Sequence, residues 1–311
     1  MTHARMLFLI VLLSIAGSAA ADQPVIDIHV HAGNVVREGP RHPANLAHMH
    51  AYEEEANSNN VVLFVASGAQ ELVESWSEYY GGRMLAGPVF PCVNGRTANE
   101  EATDGLRPCF DSGTEFPELA WLRDQYEDGR LQVMGELGPQ YAGMSVDDPR
   151  MHPYYALAEE FDIPVLIHVG GGPPLTAERC CPDFRLSVGD PMLVEEVLVR
   201  YPRLRVQIQH ANVLAYPALF RLLQQFPHVF VDLTPYQTIM PREGFHHMLR
   251  LYQMQGLTDR IMFGSDEMPV ADSLEAYRSA DFLSDDELSG ILCGNAERFL
   301  DVAGICAERT E

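Results

Sequence analysis

Two imidazoles one residue apart, His29 and His31, end the run Pro24-Val25-Ile26-Asp27-Ile28-His29-Val30-His31. Val25 to Val30 is β-branched and apolar enough to form a buried strand. Side chains alternate along a strand, so His29 and His31 are expected on one face and Ile28 and Val30 on the other. Unpaired imidazoles are costly in so apolar a run, and the pair therefore points to a metal. Other apolar runs offer matching groups at their ends: Glu136 in Leu131–Leu137, His168 after Ile163–Ile167, His210 after Leu204–Gln209, and Asp266 after Arg260–Phe263. Imidazole nitrogen and carboxylate oxygen suit zinc, with manganese or iron as alternatives, whereas soft metals select thiolates.

His29, His31, His168 and Asp266 can hold one divalent metal and leave a position for water, whose pKa the metal lowers so that hydroxide exists near neutral pH. His210 is placed to act as general acid or base, and Asp266 can bind metal with one oxygen and take a proton with the other. Asp27, two residues before His29, is expected on the same side as a group that orients a ligand. Glu136 can bridge a second metal, orient a ligand histidine or bind substrate. A single metal is the preferred reading, with a second one bridged by Glu136 less favoured. Arg179 and Arg185, in the loop from Val169 to Asp190, are candidate anchors for a substrate carboxylate, with Arg107 and Arg41 behind them.

Positioning these groups takes regularly spaced strands. Runs at 25–30, 60–65, 85–90, 131–137, 163–168, 204–209, 229–233 and 260–263 read as strands. Helical stretches follow them at 44–55, 70–80, 117–126, 153–161, 191–201, 216–226 and 244–255, then at 273–278, 285–292 and 295–302. This repeated pattern predicts an α/β fold, a (β/α)8 TIM-like barrel forming a single domain over residues 22–311. In such a barrel the strand ends converge on one mouth, which is where the six chemical residues fall. The long stretches 91–114 and 169–190 read as insertions at that mouth.

Composition narrows the chemistry. The 311-residue chain carries 44 acidic and 21 basic residues, a formal charge of -23 that argues against a nucleic-acid partner. Every basic residue is an arginine, which removes Schiff-base, pyridoxal-phosphate, P-loop and carboxylated-lysine chemistry. Residues 1–21 resemble a secretory signal peptide: Arg5, an apolar run from Met6 to Ala16, and the small residues Ser18-Ala19-Ala20-Ala21. The mature protein is expected to be periplasmic or secreted, without a membrane span after signal removal. An oxidising compartment permits disulfides, with Cys92–Cys109 and Cys293–Cys306 as the proposed pairs. The expected partner is a small-molecule substrate, and a homodimer is compatible with the reading.

Val25-Ile26-Asp27-Ile28-His29-Val30-His31, Gly135-Glu136-Leu137-Gly138, Leu166-Ile167-His168, Ile208-Gln209-His210-Ala211-Asn212 and Ile261-Met262-Phe263-Gly264-Ser265-Asp266 together resemble the amidohydrolase superfamily. They are most similar to its amidohydrolase-related branch, which also contains aminocarboxymuconate-semialdehyde decarboxylase and resorcylate-type decarboxylases. The resemblance implies a distorted (β/α)8 barrel, metal ligation by His29, His31, His168 and Asp266, and a catalytic role for His210. It covers essentially the whole mature chain. Members often carry a proline soon after the paired histidines, where this chain has Ala32-Gly33-Asn34. The branch holds hydrolases and non-oxidative decarboxylases alike. Export ranks first a metal-dependent hydrolase that cleaves an amide, ester or lactone with a metal-activated water. The alternative is a metal-dependent decarboxylase of a hydroxylated aromatic or unsaturated carboxylic acid. A non-enzymatic binding protein is disfavoured, because one barrel supplies no two-lobed hinge.

Overall fold

The structure, a computed structural model, describes residues 23–33, 39–93 and 109–307. The expected signal peptide and Arg107 lie outside the described residues.

Three parallel strands, β1 (Val25–His31), β2 (Val61–Gly68) and β3 (Met84–Pro88), form one sheet. Four more, β4 (Met134–Leu137), β5 (Val165–His168), β6 (Val206–Gln209) and β7 (Val229–Val231), form a second parallel sheet. The two sheets join along both edges. At one seam the amides of Gln132 and Val133 donate to the Ala86 carbonyl, and Phe90 bridges Leu137. At the other, Ile261 bridges Val231, Met262 N–H donates to Val231 (2.8 Å), and Ile28 N–H donates to Phe263 (2.9 Å). Residues 261–263 thus take the place of the expected eighth strand, but with a single bridge rather than a ladder. A 3-10 turn, Thr258–Arg260, runs up to Ile261, and the Asn295 side chain donates to the Ile261 carbonyl at 2.7 Å, occupying an acceptor that a ladder would need.

Helices cover the outside of this TIM-barrel-like α/β fold. They are α1 (Pro43–Ser58), α2 (Gln70–Tyr80), α3 (Leu119–Glu127), α4 (His152–Phe161), α5 (Thr176–Arg179), α6 (Val194–Arg200), α7 (Leu219–Gln225), α8 (Tyr236–Ile239), α9 (Arg242–Met254), α10 (Val270–Arg278), α11 (Asp285–Ser289) and α12 (Asn295–Leu300). The helical spacing of apolar residues decides which faces turn inward: α9 buries Phe245, Met248, Leu249 and Tyr252. Ser284 and Glu287 form a reciprocal capping box that starts α11. At the barrel floor, Ile26, Ile28, Leu63, Val65, Val133, Leu166, Phe230 and Met262 pack with Phe299 and Leu300 of α12 into one apolar cluster.

Both expected disulfides are formed, Cys92–Cys109 with Cα atoms 6.0 Å apart and Cys293–Cys306 with 5.8 Å, separations typical of such bridges. The adjacent Cys180 and Cys181 are also joined, a pairing not anticipated from the sequence.

Candidate active site

The ends of β1, β4, β5 and β6, with the turn after residue 263, bring His29, His31, Glu136, His168, His210 and Asp266 together, as their sequence positions predict. Apart from His29 and His31, which share β1, each is reached from a different part of the chain, yet their polar atoms lie within a few ångströms.

His29 sets the orientation. Its Nδ1 meets Asp232 Oδ2 at 3.1 Å, so the proton on that nitrogen is donated to the carboxylate and Nε2 keeps its lone pair. That lone pair points at Glu136 Oε2 (3.4 Å) and Asp266 Oδ1 (3.5 Å). His31 Nε2 faces the same two oxygens at 3.2 and 3.3 Å. Both His29 Nε2 and Glu136 Oε2 are buried and lack a hydrogen-bond partner. In the neutral ring, a lone pair facing two carboxylate oxygens in a buried site is repulsive, a conflict that either a proton on Nε2 or a cation among these groups removes. The donor sets agree: His29, His31 and Asp266 offer atoms within 4.8 Å of one another, and so do His29, Glu136 and His210. These side chains therefore fit a divalent metal.

Glu136 faces two ways. While Oε2 looks toward His29 and His31, Oε1 contacts His168 Nδ1 and lies 3.6 Å from His210 Nε2. His168 thus meets the opposite oxygen of Glu136, stands 3.0 Å from His210, and turns Nε2 to the Gly171 carbonyl (3.3 Å) and the Tyr141 hydroxyl (3.4 Å). His210 Nδ1 donates to the Thr234 carbonyl at 2.9 Å, and Asp266 Oδ2 is 3.8 Å from the same nitrogen.

The electrostatics follow from burying several carboxylates among histidines. Burial opposes charge on His29, but Asp266 and Asp232 outweigh it and raise its pKa well above normal. Burial likewise opposes charge on His31, yet Asp266 and Glu136 push it up to about 9. Glu136 would rise through burial, but His168 beside it holds it well below the usual carboxylate range. His29 brings the equally buried Asp232 down to about 2 against burial. Burial and the neighbouring His210 lower His168. The ion pairs of Glu136, Asp232 and Asp266 run to histidines, so positive charge here has to come from protons or from a bound ion.

Asp27 corrects one expectation. It does not touch the His29 ring. Its Oδ1 accepts from Ser265 N–H (2.9 Å) and His29 N–H (3.3 Å), and its Oδ2 accepts from Tyr52 of α1 (3.2 Å). It ties the backbone before Asp266 to β1, and burial pushes its pKa up to about 6. The cause of the misreading is a register irregularity between Asp27 and Val30, which breaks the strict alternation of sides. Ring orientation falls instead to Asp232. That carboxylate also accepts from Gln207 Nε2 (2.6 Å), Thr234 Oγ1 (2.6 Å) and the His210 amide (3.2 Å). Its signal in the sequence was an acid near the end of the apolar run Val229–Leu233. Tyr141 gave no such signal.

The described candidate arginines are exposed. Arg185 is exposed and donates to the carbonyls of Pro182 (2.9 Å) and Phe184 (2.7 Å). Arg179 is exposed on α5, and Arg41 is exposed before α1.

Residues 26–302 match the profile of a protein family described as Amidohydrolase. No sequence among the curated proteins matches the chain. Among solved structures, an uncharacterised TIM-barrel protein from Bordetella bronchiseptica is 19% identical, with a TM-score of 0.63, covering 89% of this chain and 98% of that one. A probable 2-pyrone-4,6-dicarboxylic acid hydrolase from Acinetobacter baumannii, with citric acid bound, is 12% identical with a TM-score of 0.60, covering 89% and 99%. A 5-carboxyvanillate decarboxylase from Sphingomonas paucimobilis is 14% identical with a TM-score of 0.56, covering 90% and 99%. At these identities the likeness shows the shared fold.

Proposed function

The chain belongs to the amidohydrolase family, and from that premise we propose that it is a metal-dependent decarboxylase of a hydroxylated aromatic or unsaturated carboxylic acid. The observation that carries metal dependence is the buried pair His29 Nε2 and Glu136 Oε2, facing one another at 3.4 Å without hydrogen-bond partners. We assign the metal to His29, His31, Asp266 and Glu136, with His168 on the far oxygen of Glu136. Zinc is the first choice and manganese or iron the alternatives. A divalent ion at this position supplies Lewis-acid polarisation of a substrate oxygen and a lowered water pKa.

The side chains do the rest. Asp232 fixes the His29 ring, and the Thr234 carbonyl engages the Nδ1 proton of His210, which leaves His210 Nε2 to accept or return a proton. Loss of the carboxylate as carbon dioxide leaves a carbon that must take up one proton. We assign its delivery to His210 or Asp266, which lie 3.8 Å apart. Support for this reading over hydrolysis comes from similar folds whose names state decarboxylation, the 5-carboxyvanillate enzyme among them. The sequence alone ranks hydrolysis first.

Hydrolysis of an amide, ester or lactone remains the second reading, and one observation favours it. Arg185, expected to anchor a carboxylate, is engaged with the carbonyls of Pro182 and Phe184. A screen of metal-loaded protein against hydroxybenzoic acids, lactones, esters and amides separates the two. Stoichiometric carbon dioxide release from an aromatic acid is the expected result; hydrolysis without carbon dioxide release would reverse the assignment.

We also propose export to the periplasm or beyond, supported by three disulfides among the described residues. N-terminal sequencing should find the mature chain starting at Ala21 or Asp22; an intact Met1 in cytoplasmic protein would refute it. Among the described residues, no helix is long and apolar enough to cross a membrane.

A further inference from the structure

The loop after β5 returns to the site through a pair of joined neighbours. Cys180 and Cys181 are linked to each other, and both of their amides donate to the Thr176 carbonyl at 3.1 Å. Cys181 is fully buried in a small cluster with Tyr141 and Val93, against which Cys180, Phe184 and Ala142 pack. The same loop clasps the turn that carries Tyr141. The Arg185 amide donates to the Gln140 carbonyl (3.4 Å), and the Phe184 and Tyr141 rings lie 5.1 Å apart. Gly143, at φ +66°, leaves no room for a side chain, since a Cβ there would sit 2.7 Å from the Asp183 carbonyl oxygen. Tyr141 is itself fully buried, and its hydroxyl lies 3.4 Å from His168 Nε2.

We propose that the Cys180–Cys181 disulfide is a positioning element for the metal site: it locks the loop that holds Tyr141 against His168, and Tyr141 in turn keeps His168 Nδ1 aimed at Glu136. A bond between adjacent residues removes rotational freedom from the loop at the point where it packs on Tyr141. The hydroxyl at His168 Nε2 then acts as an outer partner of the ring, the kind of contact that fixes a ligand's tautomer and direction. Gly172 contributes to the same arrangement. A Cβ at that position would lie 2.8 Å from Thr176 Oγ1 and 2.9 Å from the Tyr141 hydroxyl, so a side chain there would press on both.

This inference rests on the reading that the cluster binds a divalent metal, and its test reads the metal rather than the reaction. Co2+ is the probe, with affinity measured by chelator competition and geometry by the visible absorption spectrum. Cys180→Ala/Cys181→Ala and Tyr141→Phe should each weaken Co2+ binding about tenfold or more and alter the spectrum. Combining all three substitutions should give no more than about a twofold further loss, because they act through one contact. Cys92→Ala/Cys109→Ala should leave the spectrum as in the wild type. A cysteine double variant with wild-type affinity and spectrum would overturn the proposal, and so would losses that multiply in the triple variant. If the double variant does not fold, Cys180→Ala, which breaks the same bond at the less buried of the two positions, takes its place: it should produce the same loss, and wild-type affinity and spectrum overturn the proposal equally. Wild-type protein that takes up no Co2+ would remove the metal reading itself, and this proposal with it.

Discussion

The barrel interior has two ends built from the same strands, and they are finished differently. At the floor, Leu166 of β5 and Phe230 of β7 join an apolar cluster sealed by Phe299 and Leu300. Two residues further along each chain segment, His168 and Asp232 stand at the mouth, equally removed from solvent. The floor satisfies itself, since every group there asks only for apolar contact. The mouth does not, because His29 Nε2 and Glu136 Oε2 are buried without hydrogen-bond partners. A fold tolerates such groups only where something else repays their desolvation, and that marks the mouth as the working end.

Substitutions can break this contrast. The largest effect is expected from His29→Ala or Asp266→Ala, which remove a donor from the shared cluster. Metal content by elemental analysis and turnover should fall to background together. Retained metal in either variant would move the site elsewhere. Next comes His210→Asn, which should leave metal content nearly intact while lowering turnover by about two to four powers of ten. Asp232→Asn should be milder. It keeps a hydrogen-bond acceptor for His29 Nδ1 but loses the charge, so metal affinity should weaken by about 10- to 100-fold in a chelator competition.

Phe299→Ala sharpens the comparison from the other end. It should cost about 3–5 kcal/mol in denaturant unfolding through the cavity it leaves, yet change metal affinity least of the five variants. A floor substitution that altered the site as much as Asp232→Asn would mean the two ends are not separable.

Much of this was legible in the chain. The β-branched, apolar runs announced the strands, and polar residues at their ends announced His29, His31, Glu136, His168, His210 and Asp266, because a barrel gathers strand ends. What escaped depended on partners no local pattern encodes. Asp232 acts on His29 across a separation of 203 residues. Asp27 was misjudged because β1 is irregular between Asp27 and Val30, and face-counting fails across such a slip. The eighth strand was read too regular, since Asn295, far along the chain, occupies the Ile261 carbonyl. Cysteine spacing suggested the pairs Cys92–Cys109 and Cys293–Cys306, but adjacency hid Cys180–Cys181.

The number of ions is open to a structural argument from Glu136, whose two oxygens address different histidine pairs, His29 with His31 and His168 with His210. The central claim is nonetheless simpler: the mouth is completed by a divalent cation. Elemental analysis of the purified protein, before and after chelation and again after zinc, manganese or iron is restored, tests it most directly. The account predicts about one divalent ion per chain, removed by the chelator, regained on restoration, and absent from Asp266→Ala. Protein that is free of metal as purified and takes up none of the three ions would contradict it.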